Sequence, residues 1–177
     1  MIEKLKALHN PEDFHQKYFV DPKYWLQDAN GRLNTLRPKP RSRCLDLGCA
    51  VPYFGYAAET CGHTVINVDV YTESLAKASE ILNCDFIPHE IKPHQAIPPS
   101  VKGCFDLITM FGVNLRGCTT EEHRMVFSEA VSRLAPHGKF VVAPNYTWLD
   151  DIILESDWWR PCPVHISGNW VTIHYEL

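Results

Sequence analysis

The fold class that this sequence predicts is α/β: a three-layer sandwich around a doubly wound, mostly parallel sheet of about seven strands. Three observations carry it. From Arg43 onward, short apolar runs alternate with segments of helical periodicity. Strands separated by helices connect through right-handed crossovers and therefore pair in parallel, covered on both faces. The final segment, VHIS-GN-WVTIHYEL, instead joins two strands at Gly168-Asn169, a two-residue hairpin signal that closes the sheet with an antiparallel strand.

Residues 1–40 differ in character from the rest. IEKLKALH spaces Ile2, Leu5 and Leu8 at helical intervals. NPEDF and VDPKYWL each place a capping residue before a proline, which marks helix starts at Pro11 and Pro22. NGRLNTLRPKP ends the last of these helices at Asn30-Gly31 and leads through a proline-bearing connector. Two roles are open to this region: a packing appendage, or a lid that brings Tyr18, Tyr24 and Trp25 to a site in the core.

The core begins with the strand CLDLG, then a helix from about Pro52 to Cys61 that stops at Gly62. TVINVDV follows as a strand, and ESLAKASEIL as a helix with Leu75, Ala78, Ser79 and Leu82 on one face. CDFIPHEI and FDLITMF are the third and fourth strands. TTEEHRMVFSEAVSRL opens on a Thr119-x-x-Glu122 capping box and buries Phe127, Ala130, Val131 and Leu134. HGKFVVAP is the fifth strand, TWLDDIILESDW a helix, and the hairpin ends the chain. Trp148, Trp158, Trp159 and Trp170 are expected to close the core around that hairpin.

With 177 residues, the chain is sized for one domain, a helical cap over 1–40 on a core over 41–177. A formal net charge of -4 argues against a broad phosphate-binding face, so nucleic acid is not expected as the main partner. The seven cysteines are odd in number and form no C-x-x-C, which suggests reduced thiols in the cytoplasm rather than a disulfide framework or zinc knuckle. MIEKLKALHN lacks an apolar core, and no apolar run approaches the roughly 20 residues of a membrane span, so neither secretion nor membrane insertion is expected.

CLDLGCAVPYFG is the most informative stretch. In doubly wound sheets the loop after the first strand floors the ligand site. Gly48 to Ala50 occupy that loop, and Asp69 ends the next strand about 20 residues on, where an acidic side chain can accept both ribose hydroxyls. These features indicate an adenosine-containing ligand. The dinucleotide fingerprint G-x-G-x-x-G would align as Gly48, Ala50 and Tyr53, and its third position must be small. Tyr53 is too bulky, and Pro52 removes an N–H that a pyrophosphate would use. Adenosine without phosphates is the better match, and an NAD-dependent enzyme the weaker alternative.

LDLGCAVPYFG, followed by VINVDV, FDLITMFGV and LAPHGKFVVAPN, resembles the class I S-adenosylmethionine (SAM)-dependent methyltransferases in order and spacing over roughly 43–177. The resemblance implies a Rossmann-like core, SAM as cofactor and S-adenosylhomocysteine as product. It places Asp46, Gly48, Cys49 and Ala50 beside the methionine part and Asp69 on the ribose. Val70, Glu90 and Ile91 would meet the adenine, and Phe111 and Gly112 would lie below the sulfonium. Tyr53, Asn114, Asn145 and Tyr146, with Tyr18, Tyr24 and Trp25 of the cap, would face the acceptor. The family's first motif typically reads D-x-G-x-G-x-G, and Ala50 and Pro52 stand here at two of its glycines. If position 50 needs φ > 0, alanine costs on the order of 1 kcal/mol.

Methyl transfer from a sulfonium requires mainly alignment and exclusion of water, so no diagnostic catalytic residue is expected. His89, His94 and His123 lie near predicted loop ends and are candidate bases for acceptors that must lose a proton. His89 and His94 lack the further ligands a metal needs, so no metal is expected, and Cys49 is expected to serve packing. The function expected is methyl transfer to a small-molecule acceptor. The alternative is a catalytically inactive methyltransferase-like module that binds SAM or its product.

Overall fold

The computed structural model describes residues 1–113, 115, 117–143, 164–167 and 170–174. Its centre is a parallel sheet of five strands in the order β3-β2-β1-β4-β5. These are β1 (Arg43–Leu47), β2 (Thr64–Asp69), β3 (Phe86–Pro88), β4 (Phe105–Phe111) and β5 (Leu134–Ala143). Helices α4 (Tyr53–Thr60) and α5 (Glu73–Leu82) join β1 to β2 and β2 to β3, and α6 (Thr120–Ser132) joins β4 to β5. The order reverses between β1 and β4, and that switch point opens a crevice at the strands' carboxyl ends. Backbone pairing sets β7 (Trp170–His174) antiparallel to β5 and β6 (Val164–Ser167) antiparallel to β7.

Strand alternation sorts side chains into two cores. Leu45, Ile108 and Phe140 join α6 through Val126, Phe127 and Ala130. Cys44, Val65, Leu107 and Val141 join a second core with α4, α5 and the amino-terminal helices. Those helices are α1 (Ile2–Lys6), α2 (Lys17–Val20) and α3 (Pro22–Leu36). Asp21 caps α3 by accepting from the Tyr24 N–H, with Pro22 at its first position. Thr72 caps α5, whose buried stripe is Leu75, Ala78, Ser79 and Leu82. The predicted Thr119/Glu122 capping box forms on α6.

Several boundaries differ from expectation. No helix starts at Pro11; the segment turns until Lys17, because the side chains of Asn10 and Asp13 accept from the nearby amides of Glu12 and His15 and hold local turns. Helix α3 does not end at Asn30-Gly31 but continues to Leu36, where Arg37 is left-handed and Pro38 follows. Burial of Ala29, Leu33 and Leu36 outweighs the roughly 1 kcal/mol that Gly31 costs inside a helix. Strand β3 stops at Pro88, after which the His89 amide makes a last bond to the Asp69 carbonyl, so Glu90 and Ile91 lie beyond the strand. On α6 the buried stripe is His123, Val126, Phe127 and Ala130, with Val131 only half-buried, and Leu134 already begins β5. A register shift between Phe105 and Leu107 accommodates the extra length of β5.

The expected helix over TWLDDIILESDW, three of the tryptophans (Trp148, Trp158, Trp159), and Asn114, Asn145 and Tyr146 lie outside the described residues. Among the described residues, no helix is long and apolar enough to cross a membrane.

Candidate functional site

Asp46, next to last in β1, lines the crevice at the switch point and is 2% exposed. The Thr109 hydroxyl, on the neighbouring strand β4, donates to its Oδ1 at 2.7 Å. Burial raises the Asp46 carboxyl to about 7, against the opposing pull of the Thr109 hydrogen bond and the Arg32 charge. The chain then turns sharply. Gly48 has φ of +71°, and a Cβ there would meet Val113 Cγ2 at 2.1 Å, so only glycine fits. The amides of Gly48 and Cys49 both donate to the Val68 carbonyl, which pins the loop to β2.

Ala50 does adopt the left-handed conformation that its place in the loop required, with φ of +49°. Its strain is offset by Asp69, whose Oδ2 accepts from the Ala50 N–H at 2.7 Å while Oδ1 accepts from the Val70 N–H at 2.7 Å. Pro52, with φ of -74° and ψ of 52°, sits at the centre of a tight turn closed by the Tyr53 N–H on the Val51 carbonyl at 2.6 Å. One amide at the start of α4 is thereby absent and the next is consumed.

Opposite this loop stand the amino-terminal helices, and between them lies a cavity of about 350 Å³. Asp46, Gly48, Cys49, Val51, Tyr53, Phe54, Phe111, Gly112 and Ala143 line it from the sheet side. Lys17, Tyr18, Trp25, Asp28, Ala29 and Arg32 line it from the cap. The cap is tied down at two points: the Tyr53 hydroxyl donates to the Tyr18 carbonyl at 2.8 Å, and the Ser74 hydroxyl at the start of α5 donates to Asp13. Tyr18 and Trp25 pack with their rings tilted by 55° and their centres 4.7 Å apart, and the Trp25 indole N–H donates to the Lys17 carbonyl.

The structure thus gathers Asp46, Gly48, Cys49, Phe111, Gly112, Tyr18, Trp25 and Tyr53 around one cavity. Asp69 and Ala50 join it through the loop, with Val70 exposed just beyond. Tyr24 does not line the cavity; it is 54% exposed and packs edge-on against Trp25. Glu90 is exposed and paired with Lys92, while Ile91 packs against the α6-side core. Of the three histidines, His89 contacts the Gln95 carbonyl, His123 sits in the buried stripe of α6, where burial lowers its pKa, and His94 lines an open groove on α6. None of the three reaches the cavity. Burial beside Asp46 and Asp69 pushes the Cys49 thiol well above its ordinary range, which suits a packing thiol and not a nucleophile.

Sequence reasoning missed Lys17, Asp28 and Arg32. Asp28 and Arg32 were findable: their i,i+4 spacing matches the apolar stripe of Ala29, Leu33 and Leu36 once the helix is carried past Gly31. Lys17 had no such signal.

No protein-family model matches the chain, and no curated protein matches it in sequence. Solved structures do. The N-methyltransferase NodS from Bradyrhizobium japonicum superposes with a TM-score of 0.62 at 16% identity, over 88% of this chain and 98% of that one. The magnesium protoporphyrin IX methyltransferase from Synechocystis, solved with bound SAM, gives 0.62 at 15% identity over 98% and 90%. This chain has the class I methyltransferase-like fold. The glycopeptide N-methyltransferase MtfA shares that methyltransferase fold with a TM-score of 0.61 at 10% identity, over 85% of this chain and 89% of that one. A porphyrin and a glycopeptide are very different acceptors, so the methyltransferase fold leaves the acceptor open.

Proposed function

We propose that this chain is a SAM-dependent methyltransferase that acts on a small-molecule acceptor. The observation that carries the reading is the joint placement of Asp46, Gly48 and the Ala50–Asp69 contact at the carboxyl ends of β1 and β2, against one cavity. The site fits the cofactor in three ways. The buried Asp46 carboxylate, aimed at the cavity, needs a cation there to stay charged, and SAM carries an ammonium. The left-handed turn at Gly48, packed against Val113, brings the loop backbone to the cavity wall. Each Asp69 oxygen, having accepted one amide, keeps a lone pair for a ribose hydroxyl.

When bound, SAM supplies an electrophilic methyl group on a sulfonium. The chain's contribution is placement. Tyr18, Trp25 and Phe111 give the cavity aromatic walls that exclude water, and aromatic faces favour a nearby cation. Asp46 holds the ammonium, and Asp69 holds the loop in the shape that the ligand meets. The acceptor and its cytoplasmic setting belong to the same proposal, as does a complete sheet of seven strands closed by the antiparallel hairpin. The free thiols of Cys44, Cys49, Cys61, Cys84, Cys104 and Cys118 support the setting.

The turn at Pro52 weighs against a pyrophosphate ligand, since two of the amides that would cradle it are absent or used. The strained Ala50 favours one second reading, a module that binds SAM or its product without turnover. Calorimetry with SAM, S-adenosylhomocysteine and NAD tests the set. Saturable binding of the two sulfur ligands and none of NAD is expected; silence from both sulfur ligands at millimolar concentration would sink the proposal. Binding without transfer of labelled methyl to any small-molecule extract fraction would favour the second reading.

A further inference from the structure

We propose that Arg32, carried by α3 of the amino-terminal cap, is the positioning residue that receives the α-carboxylate of the ligand's amino-acid end. The inference rests on the cofactor reading above and goes beyond it by assigning the cap a recognition role. The cavity wall contains one buried carboxylate, Asp46, and one guanidinium, Arg32, and the two are not ion-paired with each other. Arg32 instead forms an ion pair with Asp28, Nε to Oδ2 at 2.7 Å, one helical turn back. Its guanidinium lies over the Phe111 ring, with the central carbon 4.7 Å from the ring centre.

These two contacts use the Nε–H edge and one face of the group. The terminal nitrogens have no acceptor among the described residues. A guanidinium fixed by stacking and by one carboxylate, with donors left over at a cavity, is preorganised for a second, planar anion. Of the other charged groups on the wall, Lys17 lies over the Tyr18 ring and Asp28 pairs with Arg32; Asp46 and Arg32 form a template for a zwitterion, with its ammonium at Asp46 and its carboxylate at Arg32. Arg32 also reaches Asp46 electrostatically, opposing the rise of its pKa, so the two groups already sense one another across the space the ligand would fill.

The consequence is selectivity for adenosine sulfur ligands that keep the amino-acid group. Calorimetry with S-adenosylhomocysteine and with 5′-methylthioadenosine, which lacks that group, separates this role from a structural one. Arg32→Met is expected to weaken S-adenosylhomocysteine at least tenfold and change 5′-methylthioadenosine less than twofold; Arg32→Lys, keeping the charge but not the fork, should fall between. An equal loss for both ligands, or no loss for either, would overturn the assignment. Should Arg32→Met fail to fold, as judged by thermal unfolding, Arg32→Lys with the same two ligands decides: unchanged discrimination between them overturns the proposal. A wild-type protein that binds neither ligand would instead overturn the cofactor reading itself.

Discussion

Asp46 and Asp69 stand at the carboxyl ends of neighbouring parallel strands, one next to last and one last, yet the fold treats their carboxylates in opposite ways. Asp69 is half-buried and accepts two backbone amides, those of Ala50 and Val70, so its charge is spent on the loop. Asp46 is sealed from water and receives one hydroxyl, from Thr109. A carboxylate whose two oxygens each accept an amide is committed to the loop; one buried with a single neutral donor is driven toward its protonated form until a cation arrives. The comparison separates a residue that builds the site from a residue that waits for a ligand.

Removing the loop-building carboxylate should have the largest effect. Asp69→Ala leaves two amides unpaired, and we expect a loss of about 2 to 4 kcal/mol in urea unfolding, with a loss of about 1 to 3 kcal/mol in affinity for S-adenosylhomocysteine. Asp69→Asn, which keeps one acceptor oxygen, should lose roughly half as much stability. If Asp69→Ala weakens binding but leaves stability unchanged, the contrast between the two aspartates fails.

Asp46→Asn should act in the other direction on stability. The folded-state pKa of Asp46 is raised from 3.8 to about 7, so its favourable contribution is fully present below pH 4 and is lost as pH rises through 7. The variant should therefore be more stable than wild type at pH 8, by about 1 to 3 kcal/mol, with the difference vanishing near pH 4. It should also bind S-adenosylhomocysteine more weakly. In wild type, affinity should fall by up to about tenfold per pH unit below pH 7, because Asp46 must be ionised to meet an ammonium, and the variant should lose that dependence. A variant less stable at pH 8 would show that the carboxylate was already satisfied.

The smallest effect is expected at the strained residue that Asp69 holds. Ala50→Gly relieves a left-handed alanine but frees the unfolded chain, for a net gain of about 0.5 kcal/mol visible as a slightly raised Tm. A loss of stability would mean that the methyl group of Ala50 packs usefully in the loop.

Much of the sheet side of the site was legible because its signals are local. The apolar run ending in Asp46, the glycine at the turn and the acidic residue ending β2 are each set by neighbours in the chain, and parallel strands bring them together by the topology alone. The cap side was less legible. Ending α3 at Asn30-Gly31 follows helix propensity, and that reading hides Arg32, which stands on the next turn. Its actual course depends on Leu33 and Leu36 finding a core built by α4 and β1, far along the chain. Tyr53 was legible as too large for a dinucleotide loop, but its hydroxyl's partner, the Tyr18 carbonyl, is 35 residues away and carries no sequence signal.

By itself, then, the sequence determined the alternation of strand and helix, the amino-terminal caps of α3 and α6, the need for a left-handed turn after β1 and the acid at the end of β2. Local backbone preference and hydrophobic period decide those features, and both act within a few residues. Tertiary structure alone decided the rest: that Asp69 spends its charge on Ala50 and Val70, that Asp46 is deprived of water, and that Arg32 faces it across a cavity. Those outcomes depend on which side chains share a low-dielectric space, and that is a property of packing between distant segments rather than of any one of them.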